Sequence, residues 1–218
     1  YDFRESRTIA DIGGGRGHLL HAILETAAAA HGILFELQHV INDAAGSPRV
    51  TLMPGSFFDD PLPAADTYLL MDLLHDWDDA DATRILAAVR RAAPRDSRVL
   101  IVETLVAEQP GPHFGKTLDL IMLAVTGGKE RTRTEYERLL GATGFALERV
   151  LPTASQYSIV VASPRRRASR RKLRTSKRAT TNWGPPRANS SPPWPRDSRV
   201  VNGAKCSSSN CCHTLAWS

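Results

Sequence analysis

The stretch Asp11-Ile12-Gly13-Gly14-Gly15-Arg16-Gly17-His18 decides the fold class of this 218-residue chain. The apolar lead-in Thr8-Ile9-Ala10 reads as a buried strand, and Leu19, Leu20, Ile23 and Leu24 behind it have helical spacing. Glycines at 13, 15 and 17 between a strand and a helix permit a tight turn and let a ligand approach the backbone, because no Cβ stands in the way. The first N–H groups of the helix then face that ligand with a favourable dipole. Glu36 follows about 20 residues later, at the end of Gly32-Ile33-Leu34-Phe35, where a ribose hydroxyl would meet a carboxylate. The pattern predicts a nucleotide-type cofactor site at the head of an α/β sheet. It leaves the cofactor open, since nicotinamide, flavin and S-adenosylmethionine enzymes all use such a turn.

A second segment, Leu73-Leu74-His75-Asp76-Trp77-Asp78-Asp79, follows the apolar run Tyr68-Leu69-Leu70-Met71. His75 therefore falls at the carboxyl end of a buried strand, the edge at which open α/β sheets collect ligands and catalytic groups. A histidine there suits a general base, because its pKa lies near neutrality. It also suits a structural role, capping the next helix beside Asp76 and Asp79. Glu103 ends the next apolar strand, Val99-Leu100-Ile101-Val102, at the same edge. Glu130 lies in Gly127-Gly128-Lys129-Glu130-Arg131-Thr132, ahead of a helix with a Thr132–Glu135 capping box and an apolar stripe at Tyr136, Leu139 and Leu140. Either glutamate alone is equally a surface carboxylate or a cap.

In order, DIGGGRG (11–17), FELQHV (35–40), PGSFFDDPLP (54–63), LLHDWDD (73–79), VLIVETLV (99–106) and DLIMLAVTGGKERT (119–132) resemble one family, the S-adenosylmethionine-dependent O-methyltransferases. The resemblance is to plant caffeate- and flavonoid-type enzymes and bacterial polyketide and antibiotic methyltransferases, and it covers Tyr1 to about Pro164. HDW and GGKERT at this separation are specific to that group; the glycine motif is not. The resemblance implies S-adenosylmethionine as cofactor and a small phenolic or polyketide-type acceptor. It implies that His75 takes the proton from the acceptor hydroxyl, with Glu103 and Glu130 flanking and orienting it. It assigns Asp11, Gly13, Gly15, Gly17, Glu36, Ser56, Phe57 and Met71 to the cofactor, with Glu36 as the ribose acid. Met122, Asp76 and Trp77 fall to the substrate pocket. A methyl on a sulfonium is already on a good leaving group, so alignment and a base suffice.

Three features depart from the family pattern. A helical N-terminal domain that builds the family's homodimer and closes part of the pocket precedes this point in relatives, whereas this chain opens at Tyr1-Asp2-Phe3, which is expected of a C-terminal catalytic part. The link Gln38 to Pro48 is short where the family usually places a helix. Ser56 stands in place of an acid near the adenine, and Met71 in place of a common lysine; Ser56 still hydrogen-bonds, but Met71 does not replace a cation.

Charge divides the chain near Pro164. Residues 1–164 hold 15 Lys and Arg against 22 Asp and Glu, a net −7, whereas residues 165–218 hold 13 against the single Asp197, a net +12. The basic segment, from Arg165-Arg166-Arg167 through Arg170-Arg171-Lys172 into Ser, Pro and Asn, has no apolar period and is expected to be disordered. Such a run binds polyanions without needing a specific sequence, yet the abrupt change of composition suggests out-of-frame translation or a misjudged stop instead, and nucleic acid is not expected as a partner. Cys206, Cys211 and Cys212 all lie there with His213; adjacent cysteines without a second Cys-x-x-Cys pair make a weak zinc signal. The body has no cysteine and no metal-ligand spacing, so a metal-free, cytoplasmic enzyme is expected, with no membrane span or signal peptide.

Strands are predicted near 8–13, 32–37, 49–55, 66–74 and 98–105, and helices near 17–30, 79–92, 116–125 and 132–143. Two further strands, near 145–153 and 156–162, form an antiparallel hairpin. The expected fold is α/β: a doubly wound, mostly parallel, seven-stranded Rossmann-like methyltransferase sheet over residues 1–164. Three functions are weighed: an O-methyltransferase, a folded cofactor-binding remnant without turnover, and a nicotinamide dehydrogenase, against which HDW and GGKERT argue.

Overall fold

A computed structural model describes residues 1–165; apart from Arg165, the basic segment, with its cysteines, lies outside them. The strands are β1 (Thr8–Ile12), β2 (His31–Glu36), β3 (Val50–Pro54), β4 (Thr67–Met71), β5 (Arg98–Thr104), β6 (Phe145–Pro152) and β7 (Tyr157–Pro164). They form one sheet in the order β3-β2-β1-β4-β5-β7-β6. Five strands run parallel; β7 lies antiparallel to β5, and β6 pairs with β7 as the outer half of a hairpin.

The chain winds outward from β1 to β3, then returns to place β4 on the other side of β1. That reversal opens a crevice beyond the carboxyl ends of β1 and β4, where doubly wound sheets hold their ligands. The loops leaving those two strands are the glycine turn and the His75 segment. The two motifs therefore meet at the switch point.

Side chains alternate between two apolar layers. Ala10, Tyr68, Leu70, Val99 and Ile101 face one, and Ile9, Leu69 and Leu100 face the other. With both faces covered, β4 is almost continuously buried, which is why it reads as an unbroken apolar run. Helices α3 (Asp79–Ala92) and α5 (Arg133–Ala142) cover the first layer through Ile85, Leu86, Val89, Tyr136 and Leu140. On the other side lies α1 (His18–Thr26), with Leu20, Ile23 and Leu24. Asp78 caps α3, accepting from the Asp81 N–H at 2.9 Å, and the Thr132–Glu135 capping box starts α5. The helix α4 (Phe114–Val125) buries only Gly115 and leaves Leu120, Ile121, Leu123 and Val125 exposed.

Two boundaries and one short element differ from the sequence expectation. β4 stops at Met71, not 74, because Asp72 turns into the left-handed region at φ 46° and the chain passes into a short 3-10 turn, Leu74–Asp76. α1 ends at Thr26, not 30, where the Ala27 and Ala30 side chains are buried in the return to β2. Within the short link, one helical turn, α2 (Gln38–Ile41), is present.

Candidate active site

Gly13, Gly15 and Gly17 all take positive φ (67°, 58° and 79°), so side chains there are strained whatever the space. Gly14 is restricted differently: a Cβ would stand 2.3 Å from the Asp11 carboxyl. Gly13 donates to the Phe35 carbonyl at 2.8 Å, tying the turn to β2. Asp11, beneath the turn, is buried with neither carboxyl oxygen hydrogen-bonded. Burial, with the nearby Glu36 charge, pushes its carboxyl up to about 7. Half-buried Glu36 accepts the Leu37 N–H at 2.8 Å; burial raises its pKa against the pull of the Leu37 and Gly15 N–H groups.

Past β3, Ser56 is engaged in its own turn: its hydroxyl donates to Asp59 at 3.0 Å and its N–H to Asp60 at 2.8 Å. Phe57 packs edge-on against Phe58 and Trp77, with centroids 4.8 and 5.9 Å away, and Trp77 is 4.8 Å from Phe58. The Trp77 ring, expected at the substrate, thus joins an aromatic group with Phe57, expected at the cofactor. Half-buried Met71 closes β4 opposite Val102.

The His75 turn is held at nearly every backbone group. Glu103, fully buried at the end of β5, accepts the Leu74 and His75 N–H groups at 2.6 and 3.2 Å, and the Tyr136 hydroxyl donates to its other oxygen. Arg131, 0% exposed, donates to the Leu74 and Trp77 carbonyls, both at 2.8 Å, and to Asp79 at 3.0 Å. Lys129 donates its N–H to the His75 carbonyl at 2.9 Å. Gly128 packs so closely that a Cβ would stand 2.0 Å from that carbonyl oxygen.

The imidazole itself meets Glu130, with Nδ1 2.9 Å from Oε1. An ionised carboxylate only accepts, so Nδ1 carries the proton and the neutral ring keeps its lone pair on Nε2. Nε2 lies 3.7 Å from the Asp76 carboxylate, too far for a hydrogen bond. Burial alone would lower the His75 pKa, but the Glu130 hydrogen bond and the charges of Glu103, Glu130 and Asp76 outweigh it and hold the ring up at about 9. Burial raises Asp76 and carries Glu103 up to about 7, against the pull of His75 and Arg131. Of the two glutamates expected beside the ring, Glu130 touches it, whereas Glu103 holds the backbone that carries it.

Asp119 of α4 accepts the Glu130 N–H at 2.9 Å. Half-buried Met122 stands three residues further along that helix, on the same side. The sequence alone does not mark Arg131, Tyr136, Gly128 and Asp119 as site residues. Arg131 and Gly128 lie inside the GGKERT motif, which marked their neighbourhood but not their contacts. Among the described residues no group of three His, Cys, Asp or Glu is placed to hold a metal.

The glycine turn, with Glu36 behind it, and the carboxylate-held histidine meet at the switch point of a 3-2-1-4-5-7-6 sheet, the doubly wound methyltransferase fold. The chain belongs to the O-methyltransferase family: the family's O-methyltransferase domain model matches residues 1–146. It is 47% identical over 171 residues to the phenazine O-methyltransferase PhzM of Lysobacter antibioticus, covering 75% of this chain and 50% of that protein. To the mitomycin biosynthesis 6-O-methyltransferase of Streptomyces lavendulae it is 39% identical over 161 residues, 70% of this chain and 45% of that one. The solved structure of NcsB1, an O-methyltransferase of neocarzinostatin biosynthesis in complex with S-adenosylmethionine and 2-hydroxy-5-methyl naphthoic acid, superposes with a TM-score of 0.68 at 36% identity, covering 75% of this chain and 50% of that one. The chain spans about half the length of the curated relatives it matches.

Proposed function

We propose that this chain carries the cofactor site and the proton-accepting machinery of an S-adenosylmethionine-dependent O-methyltransferase acting on a hydroxyl of a small aromatic or polyketide-type molecule. The observation that carries this is the Nδ1–Glu130 contact of 2.9 Å, which makes Nε2 of His75 the nitrogen that can accept a proton once the ring is neutral. The residues fit the cofactor. Asp11 and Glu36 are carboxylates suited to a ligand with two positive charges and a ribose diol, and the turn over 13–17 admits it at open Gly15. Phe57 offers a ring to the adenine, whereas Ser56 and Met71 bring no charge. S-adenosylmethionine supplies a methyl already bound to a positively charged sulfur.

The chain's own residues supply the rest. His75 Nε2 takes the proton of the acceptor hydroxyl as its oxygen becomes nucleophilic. Glu130 keeps the ring in the Nδ1–H form and, with Glu103 and Asp76, stabilises the imidazolium that results. Met122 gives the acceptor an apolar wall, and Asp76 and Trp77 border the ring. Phenazine and mitomycin enzymes among the relatives, and the naphthoic acid bound to NcsB1, support a fused-ring phenol as the acceptor class.

We place the catalytic body in residues 1–164 and the basic segment 165–218 outside it. The whole protein is read as a homodimer with no nucleic-acid partner, acting in the cytoplasm. A cysteine-free body supports that compartment, and among the described residues no helix is long and apolar enough to cross a membrane.

The test is His75→Ala. Methyl transfer to a hydroxynaphthoate or hydroxyphenazine should vanish while affinity for S-adenosylhomocysteine stays within about threefold, since the ring acts on the acceptor and not on cofactor binding. Joint loss of both would make His75 structural.

A further inference from the structure

Among the described residues Asp72 is the one non-glycine with positive φ, 46°, and it stands at the joint between β4 and the His75 turn. Asp tolerates this conformation better than most residues, but it persists only where the surroundings impose it. The Asp72 N–H extends the β4–β5 ladder by one bond, to the Val102 carbonyl at 3.2 Å. Its carboxylate accepts the Tyr157 hydroxyl at 2.8 Å, from a residue 85 positions away. Tyr157 begins β7 and lies opposite Thr104 of β5, next to the Glu103–Ser158 pair, so the bond crosses β5 at the level of Glu103. The root of Tyr157 is itself tied down: its carbonyl accepts the Thr153 hydroxyl at 2.7 Å. Burial and the Asp72 bond push the phenol up to about 12, so it remains a donor at working pH.

We propose that Tyr157 and Asp72 form a positioning pair that sets the imidazole of His75. Arg131 and Lys129 hold the end of the turn and Glu103 its middle; Tyr157 holds its start, by fixing the left-handed residue from which the turn leaves the sheet. The hairpin beyond β5, which contributes nothing to the glycine turn, thereby gains a part in the reaction. This deepens the reading of His75 as the base and rests on it.

The test uses the full chain and two readouts, the His75 imidazole titration followed by NMR and the split of kcat from KM. Tyr157→Phe removes one oxygen and leaves the ring to pack. It should move the His75 titration by about half a pH unit, since the turn shifts the ring against the Glu130, Glu103 and Asp76 carboxylates, and lower kcat about tenfold with KM nearly unchanged. Asp72→Ala removes the same bond from its other end and should lower kcat at least as far, with KM again nearly unchanged. An unchanged titration and kcat in a folded Tyr157→Phe would overturn the pairing. The earlier reading fails separately, through undiminished transfer in His75→Ala, because the titration reports the ring's environment whatever its role.

Discussion

A histidine held up at about 9 is mostly protonated at neutral pH, so its use as a base has a definite pH signature. kcat/KM for the free protein should rise with pH as His75 loses its proton. Glu130→Gln removes both the hydrogen-bonded anion and its charge, which lowers the His75 pKa, and the rising limb should move to lower pH as the plateau falls. A limb that stays in place would remove Glu130 from this role. Glu103→Gln should slow transfer less than His75→Ala, by about tenfold against complete loss, because Glu103 acts on the turn's backbone and not on the reacting oxygen; equal turnover in wild type and Glu103→Gln would contradict it. His75 and the two glutamates are legible in the sequence because each ends an apolar run or opens a helix. Arg131 and Tyr136 are not, because an arginine after Lys-Glu looks like any solvated charge and Tyr136 looks like one more apolar stripe position. Only the folded turn shows that its carbonyls and Glu103 need those donors.

The site is built where elements end, and the sequence marks those ends unevenly. Turn chemistry makes some plain: the glycines after β1 and the capping box of α5 fall where the sequence puts them. The end of β4 is hidden, because Leu73 and Leu74 continue its apolar run and are buried like strand residues, while a single left-handed Asp72 breaks the strand. Nothing in residue type announces that φ. The GGKERT loop is constrained in turn by its approach to the turn at His75. Gly128→Ala should push the His75 carbonyl outward and cost about 100-fold in transfer, the scale of a 1 Å misplacement, with cofactor affinity spared since the glycine turn is built separately on β1. Assays of transfer and of S-adenosylhomocysteine binding on the one variant check this, and parallel loss of both would contradict it.

At the scale of the whole molecule, three buried groups hold protons more tightly in the folded state than in the unfolded chain. Asp11 and Glu103 are acids raised to about 7, so their contributions to stability fall as pH rises from the ordinary carboxylate range toward 7. His75 is a base raised to about 9, so its contribution is full below its ordinary 6.5 and is lost as pH rises through 9. All three run in the same direction, and the melting temperature should fall from pH 5 to pH 9. Asp11→Asn, which removes an unpartnered buried charge, should flatten that fall and stabilise the protein at pH 8 by about 1 kcal/mol, or ~2–4 °C for a domain of this size. A melting series flat in both proteins would contradict the assignment of Asp11 as an unpaired internal acid. The same carboxylate lies under the turn assigned to a cofactor that carries an ammonium and a sulfonium, so affinity and stability draw on one residue. Calorimetric titration of S-adenosylhomocysteine and S-adenosylmethionine into the purified chain, with NAD as control, tests the whole construction most directly. Micromolar binding of both sulfur compounds and none of NAD is expected; no heat from either, in a chain shown to be folded, would contradict it.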